Sequence, residues 1–136
     1  MREILLRAKR LEIGDWVEGS LIAYPDGDCY IARPSDDPNV LDKFCIDPAT
    51  VGQYTGLKDK NGKQVFEGDL CLCDRHINDS FDQTVFEIMF DPLRGYYGES
   101  SWGSEFDGTS FDLCEIIGNI HDNPELLGRE RDNDHR

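Results

Sequence analysis

Gln53-Tyr54-Thr55-Gly56-Leu57-Lys58-Asp59-Lys60-Asn61-Gly62-Lys63-Gln64-Val65-Phe66-Glu67-Gly68-Asp69-Leu70 decides the fold class of this chain. It sets a strand, a turn, a second strand and a tight bend in immediate succession. Asn61-Gly62 is a strong hairpin signal, because a two-residue β-turn demands positive φ at positions where most side chains clash. Gly68-Asp69 then bends the chain sharply into the run Leu70 to Asp74. Segments this short, joined by turns this tight, are the units of an antiparallel sheet.

Outward from this stretch the same grammar repeats. Glu3 to Leu11 alternates Ile4, Leu6 and Ala8 against Leu5, Arg7 and Lys9, a half-buried strand. Trp16 to Tyr24 is rich in β-formers, and Pro25-Asp26-Gly27-Asp28 turns it into Cys29 to Ala32. Residues 33–39 are breakers and read as a loop. Gln83 to Phe90 and Leu113 to Ile120 are the later strands, with a Gly-, Ser- and aromatic-rich stretch at 91–111 between them. Asn123 with Pro124 suits the start of a single helical turn. The expected fold is mainly β with little helix. A β-meander portion over 1–40 precedes a barrel-like portion over 41–128, which the Gly68-Asp69 bend likens to a small SH3-like barrel; the two are either separate domains or parts of one compact domain. A polar tail follows at 129–136.

Asp and Glu number 28 against 14 Lys and Arg, a formal net charge of -14 over 136 residues. That field repels nucleic acid and anionic membranes, whose binding rests on Lys and Arg, so neither is an expected direct partner. An acidic surface can imitate a nucleic-acid backbone, and solubility is the plainer use of the same charge. Arg2, Arg7, Lys9 and Arg10 form a small basic segment, expected to pair with the protein's own carboxylates. No apolar run approaches the length that spans a bilayer, and the first residues lack the apolar core of a signal peptide. The five cysteines, Cys29, Cys45, Cys71, Cys73 and Cys114, are odd in number and mostly flanked by apolar neighbours, the setting of buried free thiols. A reducing, cytoplasmic compartment is the expectation.

Sites of chemistry are sparse. Cys71-Leu72-Cys73 with His76 is the one metal-like cluster, but a structural zinc needs four ligands in paired spacing, and Cys29, Cys45 and Cys114 stand apart in sequence. No metal or cofactor is therefore expected. Glu67 and Asp69 flank a glycine and could act as an acid–base pair, although an Asp accepting backbone amides in a bend explains them with less. The glycines at 95, 98, 103 and 108 match no phosphate-binding pattern. No residue is assigned a catalytic role. The stretch Arg94 to Gly103 places Tyr96, Tyr97 and Trp102 among Gly and Ser, the composition of binding loops. Its other interpretation is a hairpin whose aromatics pack on the sheet.

Gln53 to Lys63, Val65-Phe66-Glu67-Gly68-Asp69-Leu70 and Glu115-Ile116-Ile117-Gly118-Asn119-Ile120-His121-Asp122-Asn123-Pro124-Glu125-Leu126-Leu127 together resemble the signature of the YopX family, and Arg7-Ala8-Lys9 with Trp16 fits its N-terminal strand. The resemblance implies a mainly β protein of bacteriophages, prophages and their bacterial hosts, with a tendency to self-associate. It carries no established activity and no catalytic residues. The expected function is a non-enzymatic accessory protein that binds a host or phage protein or assembles as a homo-oligomer. The alternatives are an acidic nucleic-acid mimic that modulates a host DNA-binding protein, and an enzyme using Glu67 and Asp69.

Overall fold

The computed structural model describes residues 4–77 and 80–127, with the backbone alone for 74–77 and 80–82. Two antiparallel sheets dominate it, and the chain divides into two compact units, Met1–Tyr54 and Thr55–Arg136.

In the first unit β1 (Leu6–Lys9), β2 (Trp16–Ala23), β3 (Cys29–Pro34) and β4 (Leu41–Cys45) form a meander in the order β4-β3-β2-β1. The alternation along β1 sorts its side chains as the sequence implies. Ala8, opposite Val17, is fully buried with Ile31 and Ile46, and Leu6 packs against them. Arg7 and Lys9 lie over the ring of Trp16, at 4.7 and 5.9 Å from its centroid. Cations over a tryptophan face are attracted by its quadrupole. Arg10 does pair with Asp15, at 2.7 and 3.1 Å.

The breakers after β3 close a hairpin inside the first unit. Ser35 Oγ donates to the carbonyl of Val40 at 2.9 Å and Asp37 accepts from Asn39 N at 2.9 Å. These bonds close a hairpin that lays β4 beside β3. The end of β4 then returns to β1 through the bridge Arg10–Ile46, and Leu11 N donates to Cys45 O. The first unit thus takes in β4 and the short 3-10 segment Pro48–Thr50, which the sequence suggested for the second portion.

Strand β5 (Gly52–Lys58) begins beside β1 and ends beside β6 (Gln64–Phe66). The second unit holds β7 (Asp69–Ile77), β8 (Ser80–Asp91), β9 (Gly95–Glu99), β10 (Glu105–Asp107) and β11 (Cys114–Asn119) in the order β10-β9-β8-β7-β11. This is an open five-stranded sheet, not the expected barrel. The Gly68-Asp69 bend exists, but β7 runs on into the long β7–β8 ladder rather than curling toward closure. One face carries the core: Cys71, Cys73, Phe86, Ile88 and Cys114, covered by Val65 and by Phe111 of the 3-10 segment Gly108–Leu113. Phe106 meets Phe86 edge-on at 4.5 Å and Phe111 at 5.5 Å. It can do so because its β9 neighbour is Gly98, where a Cβ would overlap the Phe106 ring.

The edge of β11 is covered by the hairpin turn. Lys60 N donates to Cys114 O at 2.9 Å, and the Asp59 carboxylate accepts from Ile116 N at 3.0 Å. An exposed row of strand amides invites pairing with another chain, and the turn removes that row here. Residues 124–127 form one helical turn after Asn123. The expected tail at 129–136 lies outside the described residues.

The excess of aspartate has a local cause. Asp26, Asp37, Asp47, Asp59, Asp91 and Asp107 each accept the backbone amide two residues on, at 2.8–3.1 Å. These are Asx turns, for which a short carboxylate is well suited. Six of the aspartates thus have a structural task in tight connections.

Candidate functional site

The structure separates the three aromatics singled out at 96–102. Tyr96 and Tyr97 are neighbours on β9 and so face opposite sides of the sheet. Tyr96 packs against the core and lies 5.0 Å from Phe90. Tyr97 is half-buried on the other face beneath the Arg94 guanidinium, 4.2 Å from its centroid. Arg94 also holds both Glu105 oxygens at 3.1 Å and reaches Asp91 at 3.4 Å. Trp102 stands at the tip of the β9–β10 hairpin, 44% exposed. That tip is closed by Ser100, whose Oγ accepts from Ser104 N at 2.9 Å. A cleft of about 220 Å³ runs along β9 and β10, lined by Arg94, Tyr96, Tyr97, Glu105, Phe106 and Asp107. Within the stretch Tyr96 thus packs on the core, whereas Trp102 is exposed at the hairpin tip.

On this face Glu87, Glu99 and Glu105 stand directly opposite one another across β8, β9 and β10. Arg94 satisfies Glu105 and lowers its pKa through the side-chain hydrogen bonds. Glu87 is pushed up, by burial first and by the charge of Glu99 second. A carboxyl whose folded pKa is raised costs stability that grows as pH rises from its unfolded value, about 4.3. Glu87→Gln is thus expected to stabilise the protein by about 0.5–1 kcal/mol at pH 7 and by nothing below about pH 4. Denaturant melts at the two pH values check it.

Glu67 and Asp69 do not form a matched pair. Asp69 is buried, its Oδ2 accepting from Phe66 N at 2.8 Å, whereas Glu67 is half-exposed. The bend places Gly68 at φ +87°, its N–H on Ile88 O and its carbonyl taking Ile120 N, both at 2.8 Å. His121, remote in sequence, lies against Gly68: an added Cβ there would sit 3.6 Å from its Nε2. A histidine is therefore near this pair, which spacing did not reveal. None of the three cavities described is lined by Glu67, Asp69 or His121. The neighbouring Gly118-Asn119-Ile120-His121-Asp122-Asn123 run closes on itself. Asn119 Oδ1 accepts from His121 N and Asp122 N, and Asn123 Oδ1 accepts from Asn119 N. Through the Gly68–Ile120 hydrogen bond the two motifs form one backbone clasp.

The cysteines are not five separate thiols. Cys73 on β7 and Cys114 on β11 are directly opposite, with Cα atoms 4.6 Å apart, and are joined by a disulfide. That spacing marks a non-hydrogen-bonded pair, where side chains approach most closely. A separation of 41 residues gave no hint of it. Cys71 shares the face of Cys73, and the three sulfur atoms lie within 4.8 Å of one another, all buried. Cys29, Cys45 and Cys71 are free. Burial, then the charges of Asp69 and Asp59, pushes the Cys71 thiol up to about 12, which favours its protonated form at neutral pH. The His76 side chain lies outside the described residues. A cavity of about 210 Å³, lined by Cys73, Phe86, Glu105, Phe106, Leu113 and Cys114 among others, opens onto the disulfide. A third cavity, about 210 Å³, lies in the first unit between Ile13 and Phe44. No helix among the described residues is long and apolar enough to cross a membrane.

No curated protein matches this sequence. Among solved structures, the crystal structure of protein EF1440 from Enterococcus faecalis is similar, with a TM-score of 0.59 at 23% identity, over 93% of this chain and 99% of that one. The likeness is one of fold. The model of the family described as YopX protein matches residues 7–128, taking in both sheets and the Gly68–Asn123 clasp, and the chain belongs to that family.

Proposed function

We propose that this chain is a non-enzymatic accessory protein of phage or prophage origin, working in the bacterial cytoplasm by binding a protein, either a host or phage partner or a second copy of itself. The observation that carries this reading is the β9–β10 hairpin, which presents Arg94 stacked on Tyr97 and an exposed Trp102. Arg, Tyr and Trp are the residue types that dominate interface energetics. Arg94 is already fixed by Glu105 and Asp91 and lies over the Tyr97 ring, so little of its side-chain freedom remains to be lost on association.

The test is affinity capture from a host lysate with and without nuclease, beside light scattering of the isolated chain. Expected is one stoichiometric partner that survives nuclease, or a mass that is a multiple of the protomer. Tyr97→Ala with Trp102→Ala should weaken either association about 30-fold or more, as loss of about 2 kcal/mol implies, while the β-sheet circular dichroism is retained. Association that the double variant leaves unchanged counts against this surface. Capture of a DNA-binding protein would instead favour the acidic mimic. The Asx turns support the plainer reading, since they give many aspartates a structural task.

A further inference from the structure

We infer that the reduced chain binds one thiophilic divalent cation, Zn²⁺ being the fitting ion, through Cys71, Cys73 and Cys114, and that the Cys73–Cys114 disulfide is the closed, metal-free state of the same site. Three buried sulfur atoms already lie within 4.8 Å of one another. Zinc–thiolate bonds of about 2.3 Å place tetrahedral sulfur ligands about 3.8 Å apart. Two neighbouring positions of one strand face and one directly opposite position supply that triangle without moving the backbone. Opening the disulfide separates two side chains whose Cα atoms, 4.6 Å apart, belong to a pair with natural Cβ spacings of about 4.5–5.5 Å.

Two further features point to an ion. Three protein ligands leave a fourth tetrahedral position, and the cavity lined by Cys73 and Cys114 brings solvent to the cluster. Thr84 stands directly opposite Cys73 on β8, is fully buried, and its hydroxyl has no hydrogen-bond partner among the described residues. A buried hydroxyl without a partner is costly. A thiolate at Cys73, or a water on the metal, supplies the acceptor it lacks, which makes Thr84 a positioning residue for the occupied state.

The chemistry balances simply. A small-molecule dithiol reduces Cys73–Cys114 to two thiols and is itself oxidised to its cyclic disulfide. The three thiols then exchange three protons for one Zn²⁺. A small-molecule disulfide that reoxidises Cys73 and Cys114 is itself reduced to two thiols, takes two of the three ligands and expels the ion as Cys71 regains a proton, so redox state and metal content are coupled.

The experiment uses the full chain, dithiol-reduced and desalted without oxygen, titrated with Co²⁺ as a spectroscopic probe and with Zn²⁺ followed by elemental analysis. Expected are one equivalent per chain, thiolate-to-cobalt charge-transfer bands, and no binding by the oxidised chain. Cys71→Ser should weaken binding at least about 100-fold and Thr84→Val about 10-fold, while Cys29→Ser with Cys45→Ser binds normally. If the reduced chain unfolds and Zn²⁺ refolds it, the site is supported; if Zn²⁺ does not refold it, the inference fails. Binding that is equal in the oxidised chain, unchanged in Cys71→Ser, or lost in the Cys29/Cys45 variant also overturns it.

Discussion

Phe111→Ala should destabilise the protein by about 3–5 kcal/mol, the range for removing a buried aromatic ring. Phe111 is 1% exposed and is the buried anchor of the segment Gly108–Leu113, whose other flank, Leu113, is 70% exposed. Its ring stands edge-on to Phe106, which in turn meets Phe86, so truncation leaves a void that two aromatic pairs cannot both close. The same segment ends at Cys114 and roofs the cavity over the disulfide. Loosening it should therefore also speed reduction of Cys73–Cys114 by a small dithiol. Equilibrium denaturation measures the first effect and thiol release under native conditions the second. Phe111→Leu, which keeps most of the volume, should show well under half of each. A variant that loses less than about 1 kcal/mol would mean that the segment does not depend on its ring for docking.

What was legible in the sequence follows from which interactions are local. The hairpin at Asn61-Gly62, the turn at Asp26-Gly27 and the bend at Gly68-Asp69 are all encoded within a few residues, and all are present. The β1 pattern sorted Ala8 inward because strand periodicity is a local property. That the second sheet stays open was not legible, because closure depends on how far β7 and β8 run together and on which strand finds the free edge. The loop at 33–39 looked like a boundary because its breakers close a hairpin equally well. Nor could spacing join Cys114 to Cys73 or bring His121 to Gly68: both depend on β11 pairing with β7, a contact between distant segments. The aromatic stretch was ambiguous for a physical reason. Aromatics are good strand formers on either face of a sheet, and composition alone does not say which face each residue takes.

Asp59→Ala should cost about 3–5 kcal/mol at neutral pH, because one buried carboxylate ties three separate pieces of backbone. Oδ1 accepts from Asn61 N and Lys63 N, each at 2.9 Å, and Oδ2 accepts from Ile116 N at 3.0 Å. The first two bonds close the hairpin that the Asn-Gly pair begins; the third fixes that hairpin across the edge of β11. Hydrogen bonds to a charged acceptor contribute about 1.5–3 kcal/mol each and are not additive, and a buried amide left without a partner costs more. Burial by itself would raise the Asp59 pKa, but the amides of Ile116, Lys63 and Asn61, with Lys63's charge, hold it below the ordinary value. A carboxylate depressed in the folded state contributes stability that is present above its unfolded pKa, about 3.9, and is lost as pH falls through the lower folded value. The gap between wild type and Asp59→Ala should accordingly be widest near pH 7 and narrow on the acid side of pH 4. Asp59→Asn separates charge from shape. Its oxygen can still serve the hairpin amides, but its NH₂ then faces the Ile116 N–H, donor against donor. It should lose about 2–3 kcal/mol, with no pH dependence from this position. Denaturant melts of the three proteins at pH 3, 5 and 7 discriminate the outcomes. If Asp59→Asn equals wild type at every pH, the carboxylate is a turn residue alone, and the edge of β11 is held by the Lys60–Cys114 backbone bond instead.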